Sequence, residues 1–185
     1  KAGVQKSLST PHEYDLTDYL TPGNHKITIR VDNRLVINVG ENSHSVTDHT
    51  QSNWNGIAGD LLLKAQPKVY IEDIQIYPDI HKDQAAVEVQ LRNESGTLYE
   101  GKMTLQAKTK QAEWKRVLEK KSQDIRIEDQ KTVKINYPMG EDPQLWSEFD
   151  PNLYSMHIQL EEKNREKPTD VDSVTFGMRE FGTED

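Results

Sequence analysis

The chain has 185 residues, enough for one large or two small domains, and its 34% hydrophobic content can supply a core. Its 31 acidic residues outnumber 23 basic ones, giving a net charge of −8; Glu119 interrupts the tract Lys115-Arg116 and Lys120-Lys121, so no basic cluster marks a nucleic-acid surface. Zero cysteines exclude disulfides, thiolate catalysis and cysteine-ligated zinc, and no apolar run approaches the roughly 18 residues of a membrane span.

The first ten residues, KAGVQKSLST, lack the apolar core of a signal peptide. Four strands are predicted in the first part of the chain, at 6–11, 26–33, 35–39 and 60–65. Pro22-Gly23-Asn24 makes a tight turn, after which Ile27, Ile29 and Val31 alternate with Thr28 and Arg30. A boundary is placed near Gln66-Pro67, dividing the chain into 1–66 and 67–185.

Beyond it the period-two pattern continues through seven or eight strands, enough for one complete β-sandwich. In 69–76 the apolar phase slips from odd positions (Val69, Ile71) to even ones (Ile74, Ile76), which predicts a bulge at Glu72-Asp73 or a strand changing sheets. Val87, Val89 and Leu91 follow, then a hairpin turn at Asn93-Glu94-Ser95-Gly96. In 113–121 Trp114, Val117 and Leu118 have helical spacing, but the surrounding pattern favours a strand. Alternation resumes at Ile125/Ile127, Val133/Ile135/Tyr137, Tyr154/Met156/Ile158/Leu160 and Val174/Phe176/Met178. The composite reading is an all-β chain.

Four phrases in this order carry a resemblance: YDLTDYLTPGNHKITIRVDN at 14–33, SNWNGIAGDLLL at 52–63, the Trp146, Pro151, Leu153, Tyr154 spacing, and FGMREF at 176–181. They resemble glycoside hydrolase family 2, the β-galactosidase, β-glucuronidase and β-mannosidase group. The resemblance implies that 1–66 is the C-terminal remnant of a jelly-roll sugar-binding domain, that 67–185 is an immunoglobulin-like β-sandwich, and that a catalytic TIM barrel follows in the parent chain. On this reading the earlier jelly-roll strands are missing, and the exposed strand edges of 1–66 are expected either to support a homodimer or to pack against the second domain more extensively than an intact jelly roll would. The parent would hydrolyse β-glycosides with retention, β-galactosides first among several options, in a periplasmic or secreted setting. No cofactor, metal, nucleic acid or membrane is implied.

A retaining glycosidase needs two carboxyl groups about 5 Å apart on rigid elements. The sequence has one Asn-Glu pair, Asn93-Glu94, but its turn context argues against catalysis, so no catalytic residue is assigned. Ser43-His44 with Asp48-His49 lacks a nucleophile elbow, and the six histidines form no HExxH motif. The resemblance instead points to the loop 47–55 as the sugar contact: Asp48, His49, Gln51, Asn53 and Asn55 would supply hydrogen bonds, and Trp54 a flat apolar face. Ser52 stands where several relatives carry an acidic residue, and the competing reading has Trp54 packing between domains. Tyr154 is expected to act as a tyrosine corner, Arg179 and Phe181 as contacts to the barrel. The alternative class is a freestanding immunoglobulin-like module that binds carbohydrate or protein.

Overall fold

The computed structural model describes residues 1–7, 10–32, 34, 38–47, 49–50, 56–111, 115–163 and 165–182. The chain divides into two compact units, Lys1–Leu63 and Lys64–Asp185.

In the first unit none of the described residues lies in a strand, so the strands expected at 26–33 and 60–65 are not found among the described residues, while 8–9 of the strand expected at 6–11 and 35–37 of that expected at 35–39 lie outside them. A period-two sequence becomes a strand only when a neighbour accepts and donates its ladder hydrogen bonds. Ile27, Ile29 and Val31 keep their alternation in the sequence but are exposed, as are Leu61, Leu62 and Leu63. The strand edges on which a homodimer was expected are therefore not formed among the described residues. What order there is comes from local turns. Asp15 Oδ1 accepts the Thr17 N–H at 2.8 Å, and the N–H groups of Tyr19 and Leu20 both donate to Leu16 O. Arg34 grips the exposed Asp32 carboxylate through Nε at 2.8 Å and Nη2 at 2.6 Å, which lowers the Asp32 pKa to about 2.

Among its described residues the second unit holds seven strands: β1 Val69–Asp79, β2 Gln84–Asn93, β3 Tyr99–Thr109, β4 Lys121–Ile127, β5 Gln130–Pro138, β6 Tyr154–Glu162 and β7 Asp170–Phe176. They form two antiparallel sheets, β1-β2-β5 and β4-β3-β6-β7, whose inward faces make one core. The alternation read from the sequence sets those faces. Ala85, Val87, Val89 and Leu91 are buried on β2, Met103, Leu105 and Ala107 on β3, and Tyr154, Met156, Ile158 and Leu160 on β6. The predicted phase slip is a register shift between Ile71 and Asp73, so Val69 and Ile71 before it and Ile74 and Ile76 after it all turn toward the core. At the bulge the Ile71 N–H donates to Asp170 Oδ2 at 2.8 Å, tying β1 of one sheet to β7 of the other.

Residues 115–120 form no helix. Val117 makes one antiparallel bridge to Lys108, the Leu118 N–H donates to Ala107 O at 2.9 Å, and the chain enters β4. Trp114 lies outside the described residues. At Gly101 a Cβ would sit 2.3 Å from the Glu161 carbonyl oxygen, so only glycine permits the approach of β3 to β6.

Asn93-Glu94-Ser95-Gly96 is not a hairpin turn. β2 and β3 belong to different sheets, so the turn crosses the sandwich. The residue types are those of any tight turn; pairing of the flanking strands decides between a hairpin and a crossing, and no local signal carries it. Asn93 is only 4% exposed. Its Nδ2 donates to Thr97 O, Ile127 O and Glu128 O at 2.7, 2.9 and 3.0 Å, while its Oδ1 accepts from Ser95 N and Ser95 Oγ. Ile127 and Glu128 lead from β4 to β5, a second crossing between the same two sheets. Asn93→Ala would remove this donor from Ile127 O and Glu128 O, while Thr97 O would keep the Ser95 hydroxyl. It is expected to destabilise the sandwich by roughly 2–4 kcal/mol, read as a lower urea midpoint at unchanged slope.

Buried tyrosine hydroxyls fasten other places. Tyr137 Oη on β5 accepts the Ala107 N–H from the opposite sheet at 3.1 Å and donates to Glu119 O at 2.6 Å. Tyr154 Oη accepts the Gln144 N–H at 2.8 Å, the backbone-directed tyrosine expected from the sequence. Tyr99 Oη pairs with Thr169 Oγ1 at 3.0 Å. Burial is the leading cause that raises the pKa of Tyr99, Tyr137 and Tyr154, as it is for Tyr70. Because the folded values lie above the unfolded one, the unfolded chain ionises first as pH rises. The tyrosine contribution to stability is therefore expected to stay level below about pH 10 and to fall as pH rises through the folded-state values. Urea midpoints measured across that range check this, and Tyr137→Phe should fall less steeply than the parent.

Candidate functional site

The loop at 47–55 was the leading sugar-contact candidate. Of its named residues, Asp48, Gln51, Asn53, Trp54 and Asn55 lie outside the described residues. His49 is described and exposed. The ascending side of the loop is held by its own backbone. Val46 and Thr47 N–H groups donate to Ser43 O, and Thr47, which is buried, donates its hydroxyl to Glu41 O at 2.5 Å. Thr50 Oγ1 accepts the Ser45 N–H and donates to Thr47 O, which accommodates Ser45 at a left-handed φ of 62°. Ser43 Oγ donates to Val39 O at 2.9 Å, so its hydroxyl serves the loop rather than a neighbouring histidine.

The second candidate is the segment after β7. Strand β7 ends at Phe176, and Gly177 follows with Trp146 directly against it: a Cβ at 177 would lie 2.8 Å from Trp146 Cβ. Leu145 pairs with Met178 in a parallel bridge, and the Trp146 N–H donates to Met178 O at 2.8 Å. This fixes the indole beside the departing chain. The Arg179 guanidinium carbon then sits 4.6 Å from the Trp146 ring centroid and 5.7 Å from that of Phe181. At such distances the ring quadrupole attracts the cation, and the planar fork is held between two aromatic groups. Glu180 Oε2 meets His81 Nε2 at 2.9 Å, linking the same segment to the β1–β2 turn.

The loop that carries Trp146 is itself braced. Trp146 bridges to Pro151, Asp150 O accepts the Ser147 N–H, and Asn152 Nδ2 donates to Leu145 O at 3.1 Å. Phe149, at the tip of this loop, and Phe181 are each 89% exposed. Arg179 and Phe181 were singled out from the sequence; Trp146 as their partner and the His81–Glu180 pair were not. The separation between 146 and 179 puts that contact beyond any local pattern. Glu94, the acidic half of the Asn-Glu pair, accepts a hydrogen bond from Tyr70 Oη at 3.1 Å on the surface. The described residues hold no group of three or more histidine, cysteine, aspartate or glutamate side chains placed to bind a metal ion.

Seven strands among the described residues, in a three-plus-four sandwich with an aromatic-braced segment leaving the last strand, define an immunoglobulin-like domain. The family model for glycosyl hydrolases family 2 matches residues 69–179, which include all seven strands, and the chain belongs to that family. A β-galactosidase of Clostridium acetobutylicum is 26% identical over 183 residues, covering 99% of this chain and 19% of that protein. A putative β-glucuronidase of Formosa agariphila is 27% identical over 173 residues, covering 90% of this chain and 19% of the relative. The chain thus spans about a fifth of the length of these relatives. Among solved structures, the β-glucuronidase of Bacteroides uniformis superposes with a TM-score of 0.51 at 14% identity, over 60% of this chain and 14% of its own. A β-glucuronidase from glycoside hydrolase family 2 gives a TM-score of 0.50 at 18% identity over 61% of this chain and 13% of its own. These two likenesses support the fold alone.

Removing the guanidinium with Arg179→Ala is expected to cost about 0.5–1 kcal/mol, the magnitude of an exposed cation–π contact. Trp146→Ala, which also empties the space against Gly177, should cost more. Paired urea titrations of the two variants check the order.

Proposed function

We propose that this chain is the supporting, non-catalytic section of a longer family 2 glycosidase that acts on β-glycosides, β-galactosides foremost. The observation that carries the reading is the alignment along 99% of the chain with only 19% of a β-galactosidase. A hydrolytic centre of the retaining kind needs two carboxyl groups about 5 Å apart on rigid elements. The reading puts that pair in a domain beyond this chain and gives the sandwich the work of positioning. In it, residues 1–66 belong to a jelly-roll sugar-binding domain and 67–185 to the immunoglobulin-like one.

Two places would then meet the rest of the enzyme. Arg179 and Phe181, braced by Trp146, supply the contact to a catalytic barrel: the stacked fork offers donors to carboxylate or carbonyl groups, and the exposed ring offers apolar area. The loop 47–55 supplies Asp48, His49, Gln51, Asn53, Trp54 and Asn55 to the sugar, the mixture of amide, imidazole and indole groups that a pyranose ring uses.

Activity of the purified chain on an aryl β-galactoside tests the reading. Chromophore release is expected to match the buffer blank, and to remain at the blank in Glu94→Gln. Release above the blank that disappears in Glu94→Gln would overturn it.

A further inference from the structure

Asn93-Glu94-Ser95 is the one Asn-x-Ser/Thr sequence in the chain. Such a triplet is an acceptor for N-glycosylation and normally belongs to a surface loop. Here the fold has taken the acceptor nitrogen inside. Nδ2 faces three carbonyl oxygens within 3.0 Å, and Oδ1 is held by the Ser95 backbone and hydroxyl, in a side chain that is 4% exposed. Two of those carbonyls lie in the β4–β5 crossing, distant in sequence, so the enclosure exists only when both crossings are closed.

We infer that Asn93 is an N-glycosylation site which only the unfolded chain can offer, so that glycan transfer and closure of the sandwich compete for one carboxamide. In the transfer, Nδ2 forms a bond to the anomeric carbon of a lipid-linked oligosaccharide. The bond from that carbon to the pyrophosphate oxygen breaks, the lipid pyrophosphate leaves with the bonding electrons, and one amide proton is lost to solvent. The product nitrogen keeps a single N–H and carries a bulky polar substituent. It can satisfy one of the three carbonyls and cannot occupy a space closed to solvent. The glycosylated chain therefore cannot rebuild the junction between the two crossings. The native chain, by contrast, presents Nδ2 only through unfolding.

The test uses a purified oligosaccharyltransferase with lipid-linked oligosaccharide, acting on the native 185-residue chain and on Leu105→Asp. That variant puts a carboxylate into the fully buried centre of β3, unfolds the chain and leaves the triplet intact. The variant is expected to be glycosylated at Asn93, with the signal abolished by adding Asn93→Gln. The native chain should react at least ~10³-fold more slowly, following the small fraction unfolded in a stable domain. Wild-type chain glycosylated while held in urea should fail to regain cooperative unfolding once the urea is removed, whereas the unmodified chain regains it. A native chain modified within about tenfold of the variant's rate, an unfolded variant that accepts no glycan, or a glycosylated chain that refolds would each overturn the inference.

Discussion

A two-sheet sandwich depends on what happens where the chain leaves one sheet for the other, because there the backbone loses its ladder partners while still close to the core. Here two such crossings, β2 to β3 and β4 to β5, are closed by one side chain. The Asn93 carboxamide donates to carbonyls of both and accepts from the turn that follows it. Its own N–H donates to Asp129 O at 2.7 Å, and the next residue's N–H donates to Lys68 O, so the start of β1 joins the same knot. Asparagine suits the position for a chemical reason. It carries two N–H donors and an acceptor on one short planar group, which an aspartate, with no donor, does not.

The remaining seams use the same device with other groups. Asp170 joins the edge strand β7 to β1 through the Ile71 N–H, at the point where the bulge has re-aimed β1. Tyr137 reaches from one sheet to the backbone of the other, and Tyr154 secures the loop that leads to Trp146. Apolar burial supplies most of the stabilisation, but it has no direction. The directed bonds select one pairing of the sheets from the many that the same apolar faces would allow.

That rigidity is what the segment after β7 inherits. Met178 is buried and paired to the loop of Trp146, and Arg179 is stacked on the indole, so the chain leaves the sandwich along a set course. A glycosidase needs its carboxyl groups placed to within a fraction of an ångström, and supporting domains contribute by limiting how neighbouring parts move. On the function proposed for this member of glycosyl hydrolases family 2, which spans about a fifth of its relatives' length, this would be its contribution.

Much of the sandwich is legible in the sequence. Period-two alternation fixed which residues of β2, β3 and β6 face inward, and the slip between Ile71 and Ile74 located the bulge, because a strand has only two faces and a lost phase has few remedies. Tyr154 could be placed because its surroundings are near in sequence. The crossing at Asn93 could not, since a hairpin and a sheet-to-sheet turn share the same residue types and differ only in distant partners. Nor could the first unit be read from its alternation, because strands require neighbours that sequence periodicity does not supply. The Arg179 stack on Trp146 likewise joins residues from separate loops. By itself the sequence determined the inward faces and the bulge, which follow from local stereochemistry. Only the tertiary structure decided which strands pair, that one asparagine closes two crossings, and where the last segment is held, because these depend on contacts between residues far apart along the chain.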